Sequence, residues 1–344
     1  MSILSITAPQ FTPEDERLEQ EELTPEETEA AKIDLLGEAL LDESTRSSLD
    51  ASVRTDEEVA NILQEFHEGL AALEPEEKAA FLEAMEKVPR LVDLESPPLD
   101  FVTAENYNTW AAAERAVNYW ELRAWLFGER AWLPMTSTGN GCLSKEDCAL
   151  LETGFCSILD ENADASGRGV LCFEVPPRKL PVHRMSIVRV IFYLMSVAHE
   201  RRSVRKKGLV VVADTKNYTT SHFDRKFTKS VAYLFMGYHP VNTKAYHMCA
   251  PPGHKSCFLL VLPFIKYLMN RHIRQRFLVH NGHGREVAVD LEQYGIDKQY
   301  LPMSLGGTKT LDDFDKFLSN RRAVEQQREA SLFGNGSMGG VDGI

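Results

Sequence analysis

Hydrophobic and polar positions divide the chain into a polar beginning and a body of alternating strands and helices. Residues 1–60 are rich in Glu, Asp, Ser, Thr and Pro, which is typical of a largely disordered acidic leader, with room for short helices such as one from Pro25 through Leu41. Residues 61–135 repeat apolar positions at helical spacing and predict an N-terminal helical lobe. Residues 145–309 alternate strand-like and helical patterns. Residues 310–332 predict one more helix, and 333–344 a flexible Gly-rich tail.

The strand-like runs indicate an α/β fold. Residues 208–213 read GLVVVA, an apolar run without polar alternation, as in strands that are covered on both faces. Other strand-like runs occupy 170–175, 244–250 and 276–280, with helical patterns between them. This alternation predicts a mostly parallel sheet flanked by helices.

One predicted helix, residues 256–269, is apolar on every side. It reads SCFLLVLPFIKYLM, with Lys266 as its only charge and Pro263 in its middle. A helix of this kind is normally buried or lies against lipid, and this one is shorter than the roughly 20 apolar residues that cross a bilayer. Two interpretations stay open here: an ordinary core helix, or a movable lid over an apolar cavity.

Charge is distributed unevenly along the chain. The net charge is −13, yet the first 100 residues carry 27 acidic and 7 basic side chains and the remaining 244 carry 24 acidic and 31 basic. A mildly basic body favours anionic partners such as phospholipid head groups or nucleic acid. The acidic leader either covers that body or keeps the chain soluble.

Two clusters of basic residues are candidates for contact with an anionic membrane. The denser cluster contains Arg201, Arg202, Arg205, Lys206 and Lys207. A solvated helix end explains it equally well, because cations also suit the helix dipole there. A second, weaker candidate is formed by the arginines at 271, 274 and 276.

Catalytic and metal-binding patterns are absent from the sequence. The six cysteines form no C-x-x-C pair, and the histidines at 254, 280 and 283 fit no standard metal spacing. We find no nucleophile elbow and no phosphate-binding loop. We therefore expect no enzyme activity, no metal and no cofactor. Free thiols, and the lack of a secretory signal or a membrane-spanning segment, favour the cytoplasm with transient peripheral membrane association.

From about residue 167 to 308 the chain resembles the CRAL-TRIO family of Sec14-like lipid-binding domains. The similar pieces are the strand ending at Asp214, the Tyr238-x-Pro240 turn with the following strand, the apolar helix 256–269 as the gating helix, and the segment 300–307, which reads YLPMSLGG. Val241 stands where phosphatidylinositol-binding members tend to have Glu, so we do not extend phosphoinositide specificity to this chain.

A lipid cavity between the sheet and the gating helix is what this resemblance implies. We expect its lining to include these strand and helix residues: Val210, Val212, Asp214, Met248, Ala250, Phe258, Leu262, Ile265 and Met269. The opposite side of the helix would meet core or bilayer through Leu259, Val261, Phe264 and Leu268. Gly253 is the predicted hinge of the helix.

The expected function is non-catalytic binding and transfer or sensing of a hydrophobic small molecule, such as a phospholipid, between membranes. At about 0.8 kcal/mol per CH₂, a 16-carbon chain costs about 13 kcal/mol to expose to water, and a dry cavity offsets that cost. The expected partners are a lipid, an anionic membrane surface and, as an open possibility, a protein, but no nucleic acid. The alternative is a protein-interaction scaffold or small-GTPase regulator that uses the same fold without lipid.

Overall fold

The computed structural model describes residues 9–43, 45, 54–174, 183–219, 222–235, 237–252 and 256–333. Its helices are α1 (Pro13–Glu21), α2 (Pro25–Leu36), α3 (Asp56–Ala72), α4 (Ala79–Lys87), α5 (Pro89–Glu95), α6 (Pro98–Ala104), α7 (Thr109–Phe127), α8 (Lys145–Leu151), α9 (Arg184–His199), α10 (Arg202–Lys207), α11 (Arg225–Phe235), α12 (Cys257–Leu268), α13 (Arg271–Arg274), α14 (Arg285–Glu292) and α15 (Leu311–Phe333). Its strands are β1 (Cys156–Ile158), β2 (Gly169–Glu174), β3 (Leu209–Asp214), β4 (Thr243–Ala250) and β5 (Phe277–Asn281).

The described strands form one sheet in the order β1-β2-β3-β4-β5. Strands β2 to β5 run parallel, and β1 pairs antiparallel with β2 at the edge. Because parallel neighbours need crossover connections, helices cover both faces of this sheet. The predicted α/β class, with a mostly parallel sheet flanked by helices and preceded by a helical lobe, is confirmed.

Side chains of the sheet enter two separate hydrophobic clusters. Leu209 and Val211 of β3 join a large cluster with α9, α12 and the helical lobe. Val210 and Val212 join a smaller cluster with α14 and the segment around Leu301. Successive residues of a strand point to opposite faces, so the two clusters lie on opposite sides of the sheet. We call the side of Val211 the gate face and the side of Val212 the back face.

The acidic leader differs from the expectation of disorder. Within the described residues 9–43, α1 and α2 are both regular helices. Thr12 and Thr24 each precede a proline and form a complete capping box with Asp15 and Glu27, respectively. A capping box satisfies two helix-end N–H groups, and proline is favoured in the first turn. These local signals, together with ion pairs to the basic body, order a segment whose composition alone indicates disorder. The predicted tail, from residue 334 onward, lies outside the described residues.

Candidate functional site

Four side chains form a row across the gate face of the sheet. Ala213 pairs in register with Phe173 on one side and Met248 on the other, and Met248 pairs with Val279. Ala213 is fully buried, whereas Phe173, Met248 and Val279 are only partly buried although they pack against the large core cluster. Met248 belongs to β4, which has a neighbouring strand on each side. Partial exposure of a large apolar side chain at such a position indicates unfilled space above the row.

Helix α12 supplies the opposite wall. Phe258, Val261 and Phe264, spaced three residues apart, are its buried residues. The residues at 259, 262, 265, 268 and 269 are partly buried, and those at 259, 262, 265 and 269 pack against the same cluster as the row across the sheet. Leu260 is 58% and Tyr267 49% exposed. The helix therefore has a buried stripe, two partly buried flanks and one exposed edge.

Aromatic residues anchor the buried stripe of α12. The ring of Phe258 meets Tyr218 edge-on at 5.8 Å, and the ring of Phe264 meets Phe223 at 5.5 Å. Burial raises the pKa of Tyr218 to about 12. Edge-to-face pairs of this kind add roughly 0.5–1.5 kcal/mol each beyond the burial of apolar area. Both contacts must break or shift if the helix swings away from the sheet.

Several of the predicted lining residues lie on the gate face or on the partly buried flanks of α12. Met248 is on the gate face, and Ala250, two residues further along β4, shares that face by strand alternation. Leu262, Ile265 and Met269 are among the partly buried residues of α12 and the residue after it. The predicted hinge, Gly253, lies outside the described residues.

Three predicted lining residues are on the wrong face. Val210 and Val212 belong to the back-face cluster, and Asp214 has the same strand parity. Asp214 lies 2.8 Å from the ammonium of Lys216. The GLVVVA run is apolar at every position, so its sequence carries no alternation that tells one face from the other. The gate-face residues of β3 are Leu209, Val211 and Ala213, which we did not predict.

The sequence left core or bilayer open for the side of α12 that carries Val261 and Phe264. Val261 is 2% and Phe264 7% exposed, so the structure places both in the core, and their assignment as membrane contacts is not supported. Leu259 and Leu268 are partly buried. The exposed apolar edge is formed instead by Leu260 and Tyr267. Their separation of seven residues, two helical turns, was the available signal, but a helix that is apolar on every side gave no polar stripe to orient it.

The denser basic cluster is largely engaged with the protein itself. Arg201, Arg205 and Lys207 each donate a hydrogen bond to a backbone carbonyl, at 2.8, 3.2 and 2.8 Å, respectively. Arg202 and Lys206 are exposed on α10.

The fold brings Lys206 and Lys207, at the end of this cluster, close to Arg271 and Arg276 of the second basic cluster. A cleft of about 630 Å³ is lined by basic residues from both, and by acidic residues of α2. Its cationic lining includes Lys206, Lys207, Lys244, Arg271 and Arg276. The two sequence clusters are thus parts of one basic surface.

Among the described residues, no group of three or more His, Cys, Asp or Glu side chains is arranged to hold a metal ion. In the same part of the chain, no helix combines the length and apolar character that crossing a bilayer requires.

Comparison with known proteins places this geometry in a family. Residues 151–307 match the model of the CRAL/TRIO domain. This part of the chain is a CRAL/TRIO domain. The family is, in general, one of lipid-binding and lipid-transfer domains. The resemblance inferred from the sequence is confirmed.

Comparisons with solved structures and with curated proteins add less to this assignment. A solved structure described as "Crystal structure of Sfh5" is similar over 79% of this chain and 100% of its own, at 15% identity and a TM-score of 0.45. No curated protein matches the chain.

Proposed function

We propose that this protein is a non-catalytic carrier or sensor of a hydrophobic small molecule, such as a phospholipid, which it holds between the gate face of the sheet and α12. The observation that carries the proposal is the partly buried row of Phe173, Met248 and Val279 beneath a helix whose facing residues are themselves partly buried. An acyl chain that fills this space loses its contact with water, at about 0.8 kcal/mol per CH₂.

Helix α12 acts as the gate in this proposal. It is short, and it contains Pro263, which removes one backbone hydrogen bond and weakens the helix locally. Its exposed edge presents Leu260 and Tyr267, an aliphatic and an amphipathic aromatic side chain. Tyrosine is enriched at membrane–water interfaces. The edge therefore meets the bilayer first, and the gate opens there to exchange lipid.

A pair of matched substitutions in the gate tests the assignment. Leu262→Glu places a carboxylate toward the cavity, where burial disfavours the charged form. We expect it to lower uptake of pyrene-labelled phosphatidylcholine from vesicles at least tenfold while the circular dichroism spectrum is retained. Leu260→Glu makes the same change on the exposed edge of the same helix. It should keep the bound-lipid content and slow only the transfer rate.

The outcomes separate the carrier from a scaffold. Equal lipid content in the two variants and the natural protein would show that α12 is not the gate. Native mass spectrometry of the purified protein measures independently whether a lipid co-purifies with it. A co-purifying lipid supports the carrier, and a protein that neither co-purifies with nor takes up lipid supports an interaction scaffold.

A further inference from the structure

The acidic leader lies directly on the gate. The backbone N–H of Phe11 donates to the carbonyl of Pro263 at 3.0 Å. Glu16 pairs with Lys266 of α12 at 2.8 Å. The leader therefore touches the gate helix at its proline and at its one charged residue.

Arg274 joins the end of the gate to the leader. Its guanidinium donates to the carbonyl of Met269, the residue directly after α12, and also pairs with Glu19 of α1. The same group stacks 4.3 Å from the centre of the Phe11 ring. A single cation thus holds the C-terminal end of the gate and α1 together, and the gate cannot swing while this contact persists.

Helix α2 extends the contact over the basic surface. Asp34 lies between two cations, 2.8 Å from Lys244 and 2.7 Å from Arg276. Glu27 pairs with Arg271 at 3.2 Å. Beyond the helix, Glu38 lies 3.6 Å from Lys207. The carboxylates of the leader occupy the positions that anionic groups from outside would take.

The attachment of α1 is mainly electrostatic. Of its residues, all of which the structure describes, none is buried, and in α2 the buried residue is Ala31. Partly exposed ion pairs such as Glu16–Lys266 and Glu27–Arg271 contribute little individually and weaken with salt. An isolated helix as short as α1 is also unstable in water, so it unwinds when it leaves the surface. Helix α1 is therefore the most displaceable part of the leader, whereas Asp34 of α2 is only 13% exposed in its pair with Arg276.

We propose that the basic surface formed by Lys244, Lys266, Arg271, Arg274 and Arg276 docks on an anionic bilayer, and that the leader is a strap that covers it and holds the gate closed until the bilayer displaces it. Charge complementarity supports this partner, because the surface already holds one layer of carboxylates. The exposed Leu260 and Tyr267 lie on the same gate helix as Lys266. The regulatory part of this inference rests on the proposed gating function.

Two triple variants with the same change in net charge test the strap. The strap variant, Glu16→Gln, Glu19→Gln and Glu27→Gln, removes carboxylates that contact the gate and α13. Gln still serves in the capping box at position 27. The control variant, Glu14→Gln, Glu21→Gln and Glu26→Gln, changes residues of the same two helices. Of these, Glu14 and Glu21 pair with Arg17 inside α1.

Vesicle co-sedimentation is the first measurement. On phosphatidylcholine vesicles with phosphatidylserine at low salt, each released cation adds roughly fivefold to binding, so the strap variant should bind at least about fivefold more tightly than the natural protein. The control variant should stay within about twofold, and high salt should abolish the difference. Equal gains in both variants, no gain in the strap variant, or an equal gain on vesicles of phosphatidylcholine alone would each overturn the proposal.

Hydrogen exchange separates this inference from the carrier function. The amides of α1 should exchange faster in the strap variant than in the control variant, whether or not lipid is bound. If the protein carries no lipid, the gating function fails, while vesicle binding and exchange still decide whether the leader masks the basic surface. If lipid is carried but both variants exchange alike, the strap alone is wrong.

Discussion

The space above the gate-face row can be tested by filling it. Val279→Phe adds four carbons on the gate face, beside Met248. Val212→Phe makes the same change on the back face, where Val212 is fully buried in a cluster with the fully buried Ala288 and Leu291. Both substitutions replace valine by phenylalanine in the same sheet, on β5 and on β3, respectively.

The expected free energies differ in magnitude. Four carbons at about 0.8 kcal/mol each would gain about 3 kcal/mol on full burial, and about half of that for a partly buried side chain. Lost rotamer freedom opposes this by roughly 0.5–1 kcal/mol. We therefore expect Val279→Phe to change the free energy of unfolding by less than about 1 kcal/mol. Val212→Phe overpacks a filled region and should lose about 1–3 kcal/mol or more.

Equilibrium urea unfolding followed by far-UV circular dichroism measures both values. Uptake of pyrene-labelled phosphatidylcholine should fall in Val279→Phe, because the ring occupies the ligand space, although this variant is the more stable of the two. If Val279→Phe loses as much stability as Val212→Phe, the gate face is packed solid, and the inference of a cavity from partial burial is refuted.

Three further outcomes are expected. Glu325→Ala should cost about 3–5 kcal/mol in urea unfolding, and a loss below about 1 kcal/mol would contradict this. Arg321 keeps its pair with Glu200, but the buried N–H of Ser137, the hydroxyl of Tyr193 and one N–H of Arg321 lose their acceptor, at about 1–3 kcal/mol each. Burial holds the pKa of His239 and His247 well below the ordinary value, so the unfolded chain binds protons first as the pH falls. Stability should therefore be full above about pH 6.5 and decline below it, and a flat profile down to about pH 5 would count against that burial. Gly307→Ala should lower the yield of folded protein, because the new Cβ would lie 2.0 Å from a carbonyl oxygen, and wild-type yield and melting temperature would show that the turn relaxes.

Local sequence was sufficient for the parallel strands and the helices between them, but not for β1 or for the order of the leader. The β-branched run at β3, the apolar helix at 256–269 and the turn that contains Gly307 each carry a pattern that depends on near neighbours only. Alternation of strand and helix then restricts the fold to a mostly parallel sheet. The candidate gate could be placed in the same way, because no polar stripe offers this helix a solvated side.

Which residues lie on the gate face was decided by tertiary structure. Val210 and Val211 are equally apolar, and only the register of β3 with its neighbours places one on the back face and the other on the gate face. The edge of α12 that stays exposed likewise depends on where Tyr218 and Phe223 meet it. Periodicity cannot supply this orientation when every position is apolar.

The position of the leader is the clearest case of a feature that depends on contacts between residues far apart in the chain. Its sequence determined two capped, acidic helices and an excess of negative charge. Only the fold brings Lys244 and Arg276, 32 residues apart in the chain, to the same carboxylate of Asp34. Local sequence therefore specified the helices and their charge, whereas the surface they cover was set by pairing between distant charges, which has no signature in the spacing of residues along the chain.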